Sequence, residues 1–287
     1  MNEKGMLYLC ATPIGNLEDI TLRVLRILRE VDLIVAEDTR QTIKLLNHFE
    51  INKPLTSYHE HNKIEKGKYI VEQLKQGKNV ALVSDAGTPA VSDPGEDLVA
   101  LCIENEIGIT SLPGPVAAIT GLIISGLPTG RFCFEGFLTV NKRNRKEHLE
   151  GVRDDTRTLI FYEAPHKLNN TLKDMLEVFG DRRIALAREL TKRYEEVFRG
   201  TITQAIDRFE ENLPKGEFVV IIEGADKEKI KAEQQQQWEE MSVQDHIDLY
   251  VNQGMDRKEV LRKVAKDRGV SKREIYALQL ESKKENK

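Results

Sequence analysis

The chain contains 19 glycines and yet no Gly-x-Gly. That removes the dinucleotide fingerprint, whose glycines let a backbone approach a pyrophosphate closely. Neither a Gly-x-x-x-x-Gly-Lys phosphate loop nor a Gly-x-Ser-x-Gly nucleophile elbow is present. NAD enzymes, P-loop NTPases and α/β-hydrolases are disfavoured accordingly. Cysteine is scarce: Cys10, Cys102 and Cys133 lie far apart among apolar neighbours. They read as reduced core thiols of a cytoplasmic protein, and neither a disulfide set nor a zinc site is expected. No run approaches the roughly 18–20 apolar residues of a membrane span, and the N-terminal Met-Asn-Glu-Lys-Gly lacks a signal-peptide pattern.

Charge of either sign is not in large excess. The 43 Lys/Arg oppose 47 Asp/Glu, for a net −4 over 287 residues that are 40% hydrophobic. Composition and length together indicate a soluble globular chain of about two domains. The distribution is uneven, however. Residues 251–287 hold 11 Lys/Arg against 6 Asp/Glu, a net +5, leaving −9 on the remainder. A basic tail on an acidic body hints at a polyanion partner, although solvated helix ends often look the same.

Apolar runs at 7–11, 33–36, 80–83 and 109–112 predict buried parallel strands. Between them, Val24, Ile27, Leu28 and Val31 share one helical face, as do Ile70, Val71 and Leu74. Leu98, Leu101 and Cys102 mark a third helix, and residues 116–124 an apolar fourth. This alternation predicts an N-terminal α/β domain, 1–126, with a mostly parallel sheet and helices on its faces. Gly126-Leu-Pro-Thr-Gly130 reads as the boundary to a second α/β domain, 131–224. Its expected strands are 132–138, 158–162, 184–187, 197–199 and 218–223; its expected helices are 143–152, 168–178 and 202–212. The Gln-rich stretch 225–239 has no apolar periodicity and reads as a linker. A basic piece of three short helices, 240–282, follows. Ser242-x-x-Asp245 and Ser271-x-x-Glu274 look like N-terminal caps, and the turn at Arg268-Gly269-Val270 gives helix-turn-helix spacing.

Chemistry-bearing residues gather after the predicted strands. Thr12-Pro-Ile-Gly-Asn16, Ala36-Glu-Asp-Thr-Arg40, Ser84-Asp-Ala-Gly-Thr-Pro-Ala-Val-Ser-Asp-Pro-Gly95 and Leu112-Pro-Gly-Pro-Val-Ala117 are four such loops, and a fifth, Ser57-Tyr-His-Glu-His-Asn62, sits before a helix. At one edge of a parallel sheet they would build a single cleft, where open α/β sheets bind ligands. The 84–95 loop is the most constrained, since glycine permits close backbone approach and proline fixes shape. Glu37, Asp38 and Arg40 fit either a surface ion-pair cluster or a grip on a polar substrate. His59 and His61 read first as solvated loop histidines, with proton transfer as the alternative; His-x-His without a third ligand is a weak metal signal. Lys142, Arg143, Arg145 and Lys146 fit phosphate contact or a solvated helix face.

The Ser57–Asn62 loop aside, these motifs, together with Phe161-Tyr-Glu-Ala-Pro-His166 and Ala187-Arg-Glu-Leu-Thr-Lys192, resemble the tetrapyrrole-methylase superfamily. Within it they are similar to the branch that methylates the 2′-oxygen of a cytidine in small-subunit ribosomal RNA. The likeness covers about residues 6–224, and the terminal helices resemble that branch's extra domain. The resemblance implies two α/β domains of that type with a small C-terminal all-α domain, S-adenosyl-L-methionine as cofactor, no metal, and a cytoplasmic homodimer. It carries the cofactor site onto Pro13, Asp85, Ala86, Gly87, Thr88, Pro89, Val91, Ser92, Val116, Ala117, Tyr162 and Glu163. One departure is Gly87-Thr88-Pro89, where the tetrapyrrole enzymes read Gly-Asp-Pro. Another is Thr139-Val140, where the branch commonly has proline. Candidates for the general base are Asp38, Glu37 and His59; candidates for RNA contact are Arg40, Lys142, Arg143, Arg145, Lys146, Lys272 and Arg273. A small-molecule methylase of the tetrapyrrole type and a non-enzymatic binding module are the rival readings.

Overall fold

The structure, a computed structural model, describes residues 4–211 and 214–285. Contacts divide the described chain into two compact units. One holds both sheets and ends at Glu223, with Gly151–Thr156 excluded; that short segment groups with the helices after Gly224.

The first sheet has strands β1 (Met6–Cys10), β2 (Leu33–Ala36), β3 (Leu55–Ser57), β4 (Val80–Val83) and β5 (Gly108–Leu112). They are ordered β3-β2-β4-β1-β5, and every neighbouring pair is parallel. Helices α1 (Leu22–Glu30), α2 (Thr39–His48), α3 (Lys63–Lys75) and α4 (Gly95–Glu104) make the crossovers. Successive strand residues point to opposite faces, so Leu7, Leu9, Leu33, Val35, Val80 and Leu82 enter one core. Cys10, Ile34, Ala36, Ala81 and Val83 enter another. Both faces are covered, which is why these strands read as unbroken apolar runs. Cys102 joins the first core and Cys10 the second, while Cys133 is half-buried. Strand β3 and helix α2 were not expected from the sequence.

The second sheet is mixed: β6 (Phe132–Phe137), β7 (Thr158–Glu163), β8 (Arg183–Arg188), β9 (Glu196–Thr201) and β10 (Phe218–Ile222) in the order β6-β7-β10-β8-β9. Only β6 and β7 run parallel, the other pairs being antiparallel. Helix α5 (Ala117–Ser125) precedes this sheet in sequence but packs on it. Ala118 and Leu122 share a core with Ile160, Ala185, Val219 and Ile221. The expected boundary at 126–130 is therefore displaced. The chain crosses to the second sheet at 113–116, and Gly126, at φ +78°, serves as the left-handed cap of α5. Helices α6 (Lys142–Gly151), α7 (Pro165–Phe179) and α8 (Ile202–Glu211) complete this layer.

The expected linker 225–239 is instead helix α9 (Lys227–Glu240). Its Lys, Glu, Gln and Ala content has strong intrinsic helix propensity, which a search for apolar periodicity alone overlooks. Trp238 stacks on His246 at 4.0 Å between ring centroids. Helices α10 (Val243–Asn252), α11 (Arg257–Asp267) and α12 (Lys272–Glu285) follow. They share a core of Ile247, Tyr250, Val260, Leu261, Val264 and Ile275. Both expected caps are formed: the Ser242 hydroxyl accepts from Asp245 N–H, and Ser271 and Glu274 cap each other reciprocally. Among the described residues no helix is long and apolar enough to cross a membrane.

Candidate active site

The all-parallel pairing brings all five post-strand loops to one edge of the first sheet, and hydrogen bonds tie them together. Thr12 and Gly87 exchange backbone hydrogen bonds of 2.9 and 3.0 Å. The Thr12 hydroxyl also donates to Ser84 O, and Thr88 Oγ1 donates to Pro115 O at 3.1 Å. Asp38 N–H donates to Asp85 Oδ1 at 2.9 Å. Gly87 sits at φ +83°, where a side chain is strained, and a Cβ there would stand 3.3 Å from Ile14 Cγ2. Ala90 accepts the same left-handed strain at φ 65°. It is braced by Asp93, whose two oxygens accept from Ala90 N–H and Gly95 N–H at 2.8 and 2.9 Å. Strain held this firmly is characteristic of ligand clamps.

These loops and the facing ends of the second sheet enclose a cavity of about 610 Å³, in the size range of small-molecule sites. Asp85, Ala86, Gly87, Thr88, Val91, Ser92, Val116, Ala117, Tyr162 and Glu163 all line it, as does Glu37. Pro13 and Pro89 do not. Tyr162 Oη accepts from Ala118 N–H at 3.1 Å, which ties the first turn of α5 to β7 at the cavity wall, and burial raises its hydroxyl pKa. Glu163 turns inward: Thr171 Oγ1 and Ala164 N–H donate to it at 2.6 and 2.9 Å, and Lys167 pairs with it at 3.0 Å.

The three base candidates separate by position. Glu37 faces the cavity, and its carboxyl is raised above the ordinary value, first by burial and then by Asp85, Asp93 and Asp38. Asp38 lies outside the lining. It caps α2 through Arg40 N–H and pairs with the Arg40 side chain at 2.7 Å, bonds that hold its pKa down to about 2. His59 is also outside the lining, its ring facing Asn62 Nδ2 at 3.2 Å and the His61 ring at 6.0 Å. Among the described residues, no group of three His, Cys, Asp or Glu side chains has metal-site geometry.

The basic run also divides. Lys142 and Arg143 are exposed on α6, and Lys146 pairs with Glu177 at 2.5 Å. Arg145 contradicts the expected phosphate role, because it is 6% exposed and bonded to buried Asp174 at 2.6 Å. Arg40 is spent on Asp38 but largely exposed, Lys272 lies 6.0 Å from the Tyr276 ring, and Arg273 is exposed on α12.

Sequence reading missed the far wall. Glu189, Leu190 and Lys192 line the cavity with Phe137 and Glu217. Lys192 bridges Glu189 and Glu217 at 2.9 and 2.8 Å. The signal was the Ala187–Lys192 motif itself, whose Glu189 and Thr191 take positive φ values of 51° and 63°.

An S-adenosylmethionine-type donor fits this donor set. Glu37, Asp85 and Asp93 give the cavity a negative field suited to a sulfonium cation. The close-packed Gly87 loop and the apolar Val116, Ala117 and Leu190 surfaces suit a flat ring system.

Residues 6–206 match the family Tetrapyrrole (Corrin/Porphyrin) Methylases. The chain is 52% identical to the ribosomal RNA small subunit methyltransferase I of Halalkalibacterium halodurans, over 96% of this chain and 94% of that protein. It is 49% identical to the enzyme of the same name from Bacillus subtilis, over the same shares. Among solved structures, a uroporphyrin-III-C-methyltransferase from Thermus thermophilus superposes with TM-score 0.55 at 20% identity. The likeness covers 76% of this chain and 94% of that one, and it bears on the fold alone. The chain therefore belongs to the tetrapyrrole methylases, in the group of ribosomal RNA small subunit methyltransferase I, and is a methyltransferase.

Proposed function

We propose that this enzyme transfers a methyl group from S-adenosyl-L-methionine to the ribose 2′-hydroxyl of a cytidine in small-subunit ribosomal RNA, acting in the cytoplasm as a homodimer. The observation that carries the reading is the cavity itself. Its glycine-proline loop is intact, and it belongs to a chain about half identical, over nearly its whole length, to proteins named for that RNA. Asp85 to Thr88, Val91, Ser92, Val116, Ala117, Tyr162 and Glu163, which line the cavity, would hold the donor.

When bound, the donor supplies an electrophilic methyl group on a positively charged sulfur. The chain's own contribution is positioning, worth about 7–11 kcal/mol when reactants are well aligned, and removal of one proton. The 2′-hydroxyl proton passes to the Glu37 carboxylate, the one base candidate that faces the cavity.

The deciding experiment is transfer of labelled methyl to small ribosomal subunits, to naked ribosomal RNA lacking the modification, and to a tetrapyrrole precursor. Label on a ribose 2′-oxygen of the RNA supports the reading; label confined to the tetrapyrrole rejects it. The exposed charges give a second expectation. Lys142→Ala and Arg143→Ala should each lower the slope of log K for RNA against log salt by about 0.7–0.9. A slope equal to that of the unsubstituted enzyme would remove α6 from the RNA surface.

A further inference from the structure

Three apart along a regular strand, side chains face opposite ways. Phe134 and Phe137 nevertheless both meet the Tyr162 ring edge-on, at 4.9 and 5.4 Å between centroids. The register of β6 on β7 shifts between Phe134 and Gly136, and Gly136 takes φ +66°. Such a bulge re-aims the side chain that follows it. Here it turns Phe137 into the cavity wall, where the residue is 57% exposed. Core packing has no use for a bulge that leaves a phenyl ring in water.

The segment beyond the ring is fastened to one helix. Lys167 Nζ lies 5.8 Å from the Phe137 centroid and donates to Leu138 O at 3.4 Å. Arg145 Nη1 donates to Thr139 O and Val140 O at 3.2 and 3.0 Å, while its Nε and Nη2 reach Asp174 Oδ2. Lys167, Thr171 and Asp174 follow one face of α7, so a single rigid element carries the anchors. Exposed Lys142 and Arg143 come next in the chain.

We propose that Phe137 is a stacking platform for a nucleobase of the RNA substrate, with Arg145, Lys167 and Asp174 as the positioning residues that hold it. This rests on the function proposed above. An open aromatic face beside cationic side chains is the combination with which proteins hold single-stranded nucleic acid. The ring is also far more open than Leu190 or Val219 on the same wall, which places it on the substrate side and not against the donor's purine.

The test compares Phe137→Leu, which keeps bulk but loses the π face, with Phe137→Trp, which keeps both. For Phe137→Leu the KM for ribosomal RNA should rise about tenfold, the scale of one lost base stack. S-adenosylhomocysteine affinity by calorimetry should stay within about twofold, and Phe137→Trp should restore RNA affinity. Loss of S-adenosylhomocysteine affinity with RNA affinity intact would assign the ring to the donor's purine and overturn the proposal. Equal RNA affinity in all three proteins would overturn it as well. In the Phe137→Leu background, adding Arg145→Lys should weaken RNA binding no further, because Arg145 acts through the ring. Should the enzyme transfer no methyl to RNA at all, the proposed function fails first. Calorimetric binding of an oligocytidylate to the parent and Phe137→Leu proteins then still reads the platform, and equal affinities would reject it.

Discussion

Glu37→Gln is expected to lower methyl transfer by about 10²–10⁴-fold, the usual contribution of a positioned general base, with S-adenosylhomocysteine affinity nearly unchanged. The amide keeps the shape of the carboxyl but cannot accept the proton. Burial and the neighbouring Asp85, Asp93 and Asp38 raise the Glu37 pKa, so its ionised form is a better base than an ordinary carboxylate. The sign for pH follows. Activity needs the ionised form, so kcat/KM should fall as pH drops through a value above the ordinary glutamate one, and Glu37→Gln should abolish that limb. Asp38→Asn is the control. Asparagine caps helices as well as aspartate does, and Asp38 already directs its oxygens to Arg40. A loss in Asp38→Asn equal to that in Glu37→Gln would reject the assignment.

Adjacent in sequence, Glu37 and Asp38 were indistinguishable as candidates, and the reason is physical. Which carboxylate faces the ligand depends on where α2 begins, and that helix was not placed from the sequence although Leu45, Leu46 and Phe49 recur at helical spacing. The strands of the first sheet were legible because both faces are buried, and five loops were legible because a parallel sheet puts them at one edge. Strand β3 was not, being three half-buried residues long. The partner of helix α5 was hidden too. An all-apolar helix states that it is covered but not by which sheet. Arg145 is the instructive miss. Its charge suggested the surface, yet Leu149 lies four residues on, on the same helical face, and both are buried. The far wall of the cavity was the least legible part, since Glu189 and Lys192 reach it through left-handed backbone and an antiparallel sheet that no spacing encodes.

Arg145→Met should destabilise the two-sheet unit by about 3–5 kcal/mol, because it strips the partner from a buried carboxylate and leaves that charge uncompensated. Asp174 is 4% exposed and its Oδ2 accepts both Arg145 Nε and Nη2, so methionine offers it nothing in return. The same substitution frees the carbonyls of Thr139 and Val140, and the loop that carries Phe137 loses its fastening. Urea unfolding of the full chain measures the loss. Arg145→Met combined with Asp174→Leu should recover most of it, since replacing both members of a buried pair by apolar groups is often neutral or better. A surface phosphate ligand would behave in the opposite way. Its removal would cost under about 0.5 kcal/mol of stability and would flatten the salt dependence of RNA binding. Stability recovered in the double variant, with RNA affinity still reduced, would show the pair's two roles to be separable: apolar packing replaces the ion pair in the fold, and nothing replaces the hydrogen bonds from Arg145 to the loop that carries the ring.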